Sequence, residues 1–191
     1  MELSPESEPL GYPSEPWISN HTTSIDIYPS AIAIFYSPSD IFAVNGICKE
    51  RIRCVTKWRQ GPARHDTVLV RAPGITTMSG FTVARVRLFF KLEYGGVSHS
   101  CALIHDYTTC GEEPDEDTGI WIVRRAFHGT RRPQARVICI SDILRAAHLI
   151  PVFSGAPIPD NLKHTECLDH PGFHKFYVNR FVDHHAFEIL S

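Results

Sequence analysis

The chain has 191 residues, with 19 Lys and Arg against 21 Asp and Glu, a formal charge of −2 and a pI near 6.6. Its 43% apolar and 10% aromatic content is enough for one core of ordinary domain size, and the balance excludes both a strongly basic nucleic-acid sleeve and a wholly disordered acidic chain. No apolar run approaches the ~18 residues of a membrane-spanning helix, no basic stretch precedes an apolar one at the N-terminus, and the six cysteines read as reduced thiols of the cytosol or nucleus.

Residues 1–30 hold five of the fourteen prolines and five acidic residues, with no Lys or Arg, so they carry −5 and the rest of the chain +3. Such a segment buries too little apolar surface to offset its ordering entropy. It reads as an extended, disordered leader with Trp17 as its candidate anchor. From Ala31 the pattern changes. Ala31–Tyr36 reads as a short strand, followed by a brief helix that Ser37 or Ser39 caps and Gly46 ends. Asp66–Arg71 is β-branched, bounded by Pro62 and Pro73-Gly74, and reads as a further strand.

The clearest periodicity runs from Thr82 to Tyr107. Ala84, Val86, Leu88, Phe90, Leu92 and Tyr94 alternate with Arg85, Arg87, Lys91 and Glu93, and Phe89 alone breaks the rule. A period of two predicts a long half-buried strand. Gly95-Gly96 then supplies the positive φ angles of a two-residue hairpin turn. That turn sets a register with Tyr94 opposite Val97, Phe90 opposite Cys101, Leu88 opposite Leu103, Val86 opposite His105 and Arg85 opposite Asp106. Beyond an acidic loop at Glu112–Asp117, strands are expected at Thr118–Val123 and Ala135–Ile140. A short helix capped by Ser141-Asp142 should run through Ala147, and an edge strand should follow at His148–Phe153, where Pro151 suits an edge. Phe173, Tyr177 and Phe181 at four-residue spacing predict a weakly helical C-terminus. Five or more strands without crossover helices predict a mainly β domain: a small antiparallel, partly open β-barrel with short helices over 31–155. A C-terminal extension over 156–191, containing the helical segment, packs on it.

Ligand-type residues occur at His164, Cys167, His170 and His174, at spacings zinc can use. In a chain with eleven histidines such spacings also arise by coincidence, and no metal or other cofactor is assigned. His184-His185 with Glu188 is not the His-Glu-x-x-His arrangement, in which the glutamate lies between two ligands one helical turn apart. There is no Gly-x-Ser-x-Gly elbow and no P-loop. Counting a calcium loop from Asp115 puts Ile120 where glycine is required. Cys101 and Cys139 lie in apolar strands and read as small buried hydrophobes. No catalytic residue is assigned.

Basic residues cluster twice. Lys49, Arg51, Arg53, Lys57, Arg59 and Arg64 surround Trp58, and Arg124, Arg125, Arg131, Arg132 and Arg136 form the second group. Positive charge beside an aromatic platform attracts phosphate backbones and unpaired bases. Charged solvated loops and internal salt bridges to the acidic loop account for the same composition.

Four strings, taken together, carry a resemblance: Val83-Ala-Arg-Val-Arg-Leu-Phe-Phe90, Glu113-Pro-Asp-Glu-Asp-Thr-Gly-Ile-Trp121, Arg145-Ala-Ala-His-Leu-Ile-Pro-Val-Phe153 and Phe176-Tyr-Val-Asn-Arg-Phe-Val-Asp-His-His-Ala-Phe-Glu188. From about Tyr36 to its end the chain resembles the C-terminal region of Plavaka-type transposases of mushroom-forming fungi, a branch related to the CACTA elements. The resemblance implies a nuclear protein derived from a mobile element. The metal-binding carboxylates that cut DNA in that class lie upstream of the matched region, so catalysis is not implied, and Trp121, His148, Tyr177, His184 and His185 inherit no catalytic role. The expected barrel is also similar in fold to the bromo-adjacent-homology class of chromatin modules. The expectation is therefore a non-catalytic accessory domain that binds DNA, a chromatin protein or a transposase subunit, with no membrane partner. A second reading is a small metal-dependent hydrolase or nuclease in which His164, Cys167, His170 and His174 converge. A third is a folded element fragment without a selected function.

Overall fold

The structure is a computed structural model that describes residues 25–36, 46–72, 74, 77–94, 96–129, 132–153, 155, 162 and 167–191. The chain gives β1 (Ile25–Tyr28), β2 (Ser30–Tyr36), β3 (Ile47–Val55), β4 (Arg64–His65), β5 (Thr67–Arg71), β6 (Phe81–Tyr94), β7 (Val97–Thr109), β8 (Ile122–Arg125), β9 (Phe127–His128), β10 (Arg132–Pro133), β11 (Ala135–Cys139), β12 (Ile143–Ala146), β13 (Leu149–Pro151), β14 (Lys175–Val178) and α1 (His184–Ile189). The main sheet runs β12-β5-β6-β7-β8-β14-β13, with β1 also on β6 and β11 also on β7. β2-β3-β4 form a second sheet and β9-β10 a small ribbon. The main sheet is a curled, open antiparallel half-barrel, and the mainly β expectation holds.

The β6–β7 hairpin organises everything else. β6 pairs with β5 over 81–85 and with β1 over 89–92. β7 pairs with β11 over 101–105 and with β8 over 107–109. Both long strands therefore change partner midway, and the sheet bends there. At the bend the Asp106 N–H donates to the Gln134 carbonyl at 2.9 Å and the Ala126 N–H donates to the Asp106 carbonyl at 2.9 Å, which keeps the buried backbone satisfied.

The expected register holds from Tyr94 opposite Val97 to Leu88 opposite Leu103, then departs. Val86 faces Ile104 and Arg85 faces His105, because Arg87 is an extra residue in a β-bulge. The bulge explains the one break in the alternation. Ala84 and Val86 share a face with Phe89, not with Leu88, and all three are buried with Val68, Val70, Ala102, Ile104 and Ile138. Ile52 and Cys54 of β3 close this layer from the second sheet. The opposite, concave face buries Leu69, Val83, Tyr107, Trp121, Val123, Phe173, Phe176 and Val178. Each such side chain contributes about 1.5–3 kcal/mol of burial.

Three expectations need correction. Ser141-Asp142 opens no helix: a 3-10 turn at Ile140–Asp142 leads into β12, which pairs with β5. The four-residue aromatic spacing is not one helical face, because Lys175–Val178 is a strand between β8 and β13 and only His184–Ile189 is α-helical there. Phe176 and Val178, two apart, point inward and Tyr177 lies between them. Trp121 precedes a strand that begins at Ile122, so the expected Thr118–Val123 strand starts four residues later. Besides the two-residue strands β4, β9 and β10, two longer elements went unforeseen. Ile25–Tyr28, within the expected leader, pairs with β6, and β3 lies in what read as a charge cluster. Trp17 and the helix expected after Ser37 lie outside the described residues.

Candidate basic and aromatic binding surface

β3 alternates. Ile52 and Cys54 point into the core, while Lys49, Arg51 and Arg53 fall on the outer face. Opposite them in β2 stand Ile34, Ile32 and Ser30 in turn, and an Arg51 Nη1 donates to Ser30 Oγ at 3.1 Å. The outer face of this hairpin is thus a grid of cations and exposed isoleucines, continued by exposed Tyr36 and Ile47.

After β3 the chain turns at Trp58-Arg59-Gln60-Gly61. The Gly61 N–H donates to the Trp58 carbonyl at 2.7 Å. Arg59 (φ 46°) and Gln60 (φ 62°) both adopt the left-handed conformation, which for such side chains costs of order 1 kcal/mol each. The turn keeps Trp58 beside three guanidiniums. Arg53 lies 4.7 Å from the ring centroid, and Arg59 and Arg64 each lie 5.4 Å away. Asp66 anchors the cluster: it accepts from Arg64 Nε at 2.8 Å and from the Arg53 backbone N–H at 2.9 Å. Lys49, Arg51, Arg53 and Arg64 line a cleft of about 760 Å³ with His65 and His148 on its walls. Lys57 is exposed and does not line it. Five of the six cations of the first basic group, all but Lys57, are therefore at Trp58 or in this cleft, which Glu50 and Asp66 also line.

The second group is less united. Arg124 and Arg125 line a different cavity of about 670 Å³ with Phe127 and His174, and Arg125 Nη2 donates to the Phe173 carbonyl at 3.3 Å. Arg132 is exposed on the β9-β10 ribbon. Arg136 is bound to the Asp106 carboxylate at 3.0 Å. Arg131 lies outside the described residues. The two cavities share no lining residue. Between them runs the segment from Cys167 to His174, which contributes Cys167 to the first and His174 to the second.

That same segment held the candidate metal ligands. His164 lies outside the described residues, and among the described residues no three His, Cys, Asp or Glu side chains are gathered for a metal. His170 instead accepts from the Gly172 N–H and leans on Phe173, with ring centroids 5.5 Å apart. Two thiols are held in the protonated form. Burial pushes Cys54 up to about 11. Cys101 is also raised, first by burial and then by Cys139, which faces it across β7 and β11. Cys101 is half-buried and Cys139 exposed, against the expectation that both are buried.

Sequence reasoning missed a buried ionic network. Arg145, 1% exposed, donates to both carboxylate oxygens of Asp183 at 2.7 and 2.6 Å. It also lies 3.1 Å from His185 Nδ1 and 4.7 Å from the centroid of Phe35. Phe35 in turn stacks on His185. Glu50 approaches the same guanidinium at 3.7 Å and accepts from the Ala146 N–H at 2.9 Å. The Arg145 hydrogen bond, stronger than the opposing effect of burial, holds the Asp183 carboxyl at about 2. The arrangement ties α1 to both sheets, with every acid committed to the arginine or to backbone. Its partners are too distant in sequence to be paired by inspection.

Compared with known proteins, the chain matches no family model, no curated protein and no solved structure.

Proposed function

We propose that the domain is a non-catalytic binding module for nucleic acid in a nuclear, transposase-derived chain. The derivation and the nuclear location rest on the four sequence strings. The binding role rests on one observation: three guanidiniums held around Trp58 at the rim of a basic cleft. Arg53, Arg59 and the ammonium groups of Lys49 and Lys57 have no carboxylate within ion-pairing distance among the described residues, so their charge is open to phosphates. Trp58 offers a ring on which a base stacks, with the arginines shifting to the backbone.

Fluorescence anisotropy with single-stranded and duplex oligonucleotides of equal length tests this reading. The single strand binds more tightly, and Trp58→Ala weakens it by about tenfold, from a stacking contribution of roughly 1–3 kcal/mol. Equal affinity of Trp58→Ala and the native chain overturns it.

The exposed face of Ile32, Ile34, Tyr36 and Ile47 supports a second reading, a protein partner that covers apolar surface. Ile34→Ser, which adds no charge opposite Lys49, weakens such an association and leaves oligonucleotide binding intact.

A further inference from the structure

The bulge in β6 places two arginines, Arg85 and Arg87, at the bend of the main sheet. Arg85 is 6% exposed and is held in place: its Nε donates to the His65 carbonyl at 3.2 Å, and it faces His105 across the hairpin. Its two Nη atoms bind both oxygens of the Asp169 carboxylate, at 2.5 and 2.8 Å. Arg87 has no hydrogen-bond or ion-pair partner among the described residues. Its charge bears on His65, His105, Tyr107 and Asp169. Arg125, from the second basic group, bears on the same Asp169 and Tyr107.

The charges of Arg85, Arg87 and Arg125 all bear on Asp169, whose side chain is 60% exposed and which is bound only by Arg85, while Asp66 bears on His65 and Asp106 on His105. Burial raises the Asp169 carboxyl, but the hydrogen bonds and charge of Arg85, with Arg125 and Arg87, bring it below its usual range. His65 and His105 are both lowered, first by burial and then by Arg87 and Arg85, against the smaller opposing effect of Asp169 and Asp66 on His65 and of Asp106 on His105. A planar carboxylate gripped bidentately by a buried guanidinium has the geometry of an Arg–phosphate pair. Asp169 also lies in the segment that divides the two basic cavities, and His65 lines the first of them.

We propose that Arg85 and Arg87, with His65 and His105, form a phosphodiester-binding site that joins the two basic cavities into one track, and that the Asp169 carboxylate occupies the phosphate position in the unbound protein. This rests on the nucleic-acid reading above. A bound strand displaces Asp169 from Arg85 and also engages Arg87. Bulges recur beside sites because they re-aim a side chain, and here the extra residue is the unpaired arginine.

The test uses the full chain, a labelled single-stranded oligonucleotide and a salt titration, with inorganic phosphate as a second probe. Asp169→Asn tightens oligonucleotide binding about threefold or more by removing the competing charge. Arg87→Gln weakens binding and makes the salt slope shallower by about 1. Millimolar phosphate raises the melting temperature of Asp169→Asn more than that of the native chain. Because Arg87 holds nothing among the described residues, Arg87→Gln folds normally, which circular dichroism verifies. If Trp58→Ala weakens binding while Arg87→Gln and Asp169→Asn leave affinity and slope unchanged, the site at the bulge is refuted and the Trp58 reading stands. If neither the native chain nor Asp169→Asn binds any oligonucleotide at low salt, both are refuted.

Discussion

Removing the Arg145 guanidinium should be among the most damaging single changes in this fold. The side chain is fully buried, binds Asp183 through two hydrogen bonds, and lies under the ring of Phe35. Arg145→Ala leaves Asp183 and Glu50 without their counter-charge and opens a cavity beneath Phe35, a loss of about 3–5 kcal/mol. That is a large part of the 5–15 kcal/mol by which domains are usually stable. The Asp183 side alone accounts for less. A carboxyl moved from 3.8 to about 2 corresponds to about 2.4 kcal/mol at full strength. Asp183 is 44% exposed, so screening brings this to about 1 kcal/mol. Urea denaturation followed by circular dichroism measures both, and a cycle of Arg145→Met with Asp183→Asn isolates their coupling, expected at about 1–3 kcal/mol. An Arg145→Ala loss under about 1 kcal/mol, or an additive cycle, contradicts the view that this network locks the C-terminal helix to the sheets.

Three further outcomes follow from the same structure. Phe89→Ala, at the buried position created by the bulge, should cost about 3–5 kcal/mol in a denaturant melt, whereas Phe90→Ala, half-buried on the other face, should cost less; the reverse order contradicts the register described here. Deleting Arg87 removes the bulge but keeps Val86 opposite Ile104 and Phe89 opposite Ala102, so the deletion variant should retain a cooperative thermal transition, and loss of that transition contradicts Arg87 as the inserted residue. Stability should fall as pH drops: His65, His105 and His185 sit below 6.5 in the fold, first through burial and then through neighbouring arginines. The unfolded chain therefore takes up more protons than the native one below about 6.5. Glu50, Asp169 and Asp183 add a second loss from about pH 4 towards 2, as carboxylates held low in the fold become protonated. A higher melting temperature at pH 5.5 than at pH 7.5 is the opposite result.

The hairpin was legible because a period of two and a diglycine turn point to the same register, and the fold class followed from it. The bulge was visible as well, since Phe89 was the one residue out of phase, but a local pattern does not say which neighbouring residue is inserted. β3 was obscured by its own charges. Lys49, Arg51 and Arg53 read as a cluster, although their alternation with Ile52 and Cys54 is that of a half-buried strand. The Ser141-Asp142 cap misled because pairing with β5 outweighs a local helix signal over four residues. The Trp58 group was legible because its members are close in sequence. Arg145 with Asp183, Arg85 with Asp169 and Ala146 with Glu50 are separated by 38, 84 and 96 residues, and only the curled sheet brings them together.

The most direct measurement of the account is the salt dependence of oligonucleotide binding by the native chain. About five phosphates engaged by the Trp58 cluster give a slope of about −3.5 for a single strand, and of order −4 to −5 for a duplex, in a plot of log affinity against log salt concentration. Undetectable binding at low salt, or an affinity that does not change with salt, contradicts the claim that this sheet presents its cations to a nucleic-acid backbone.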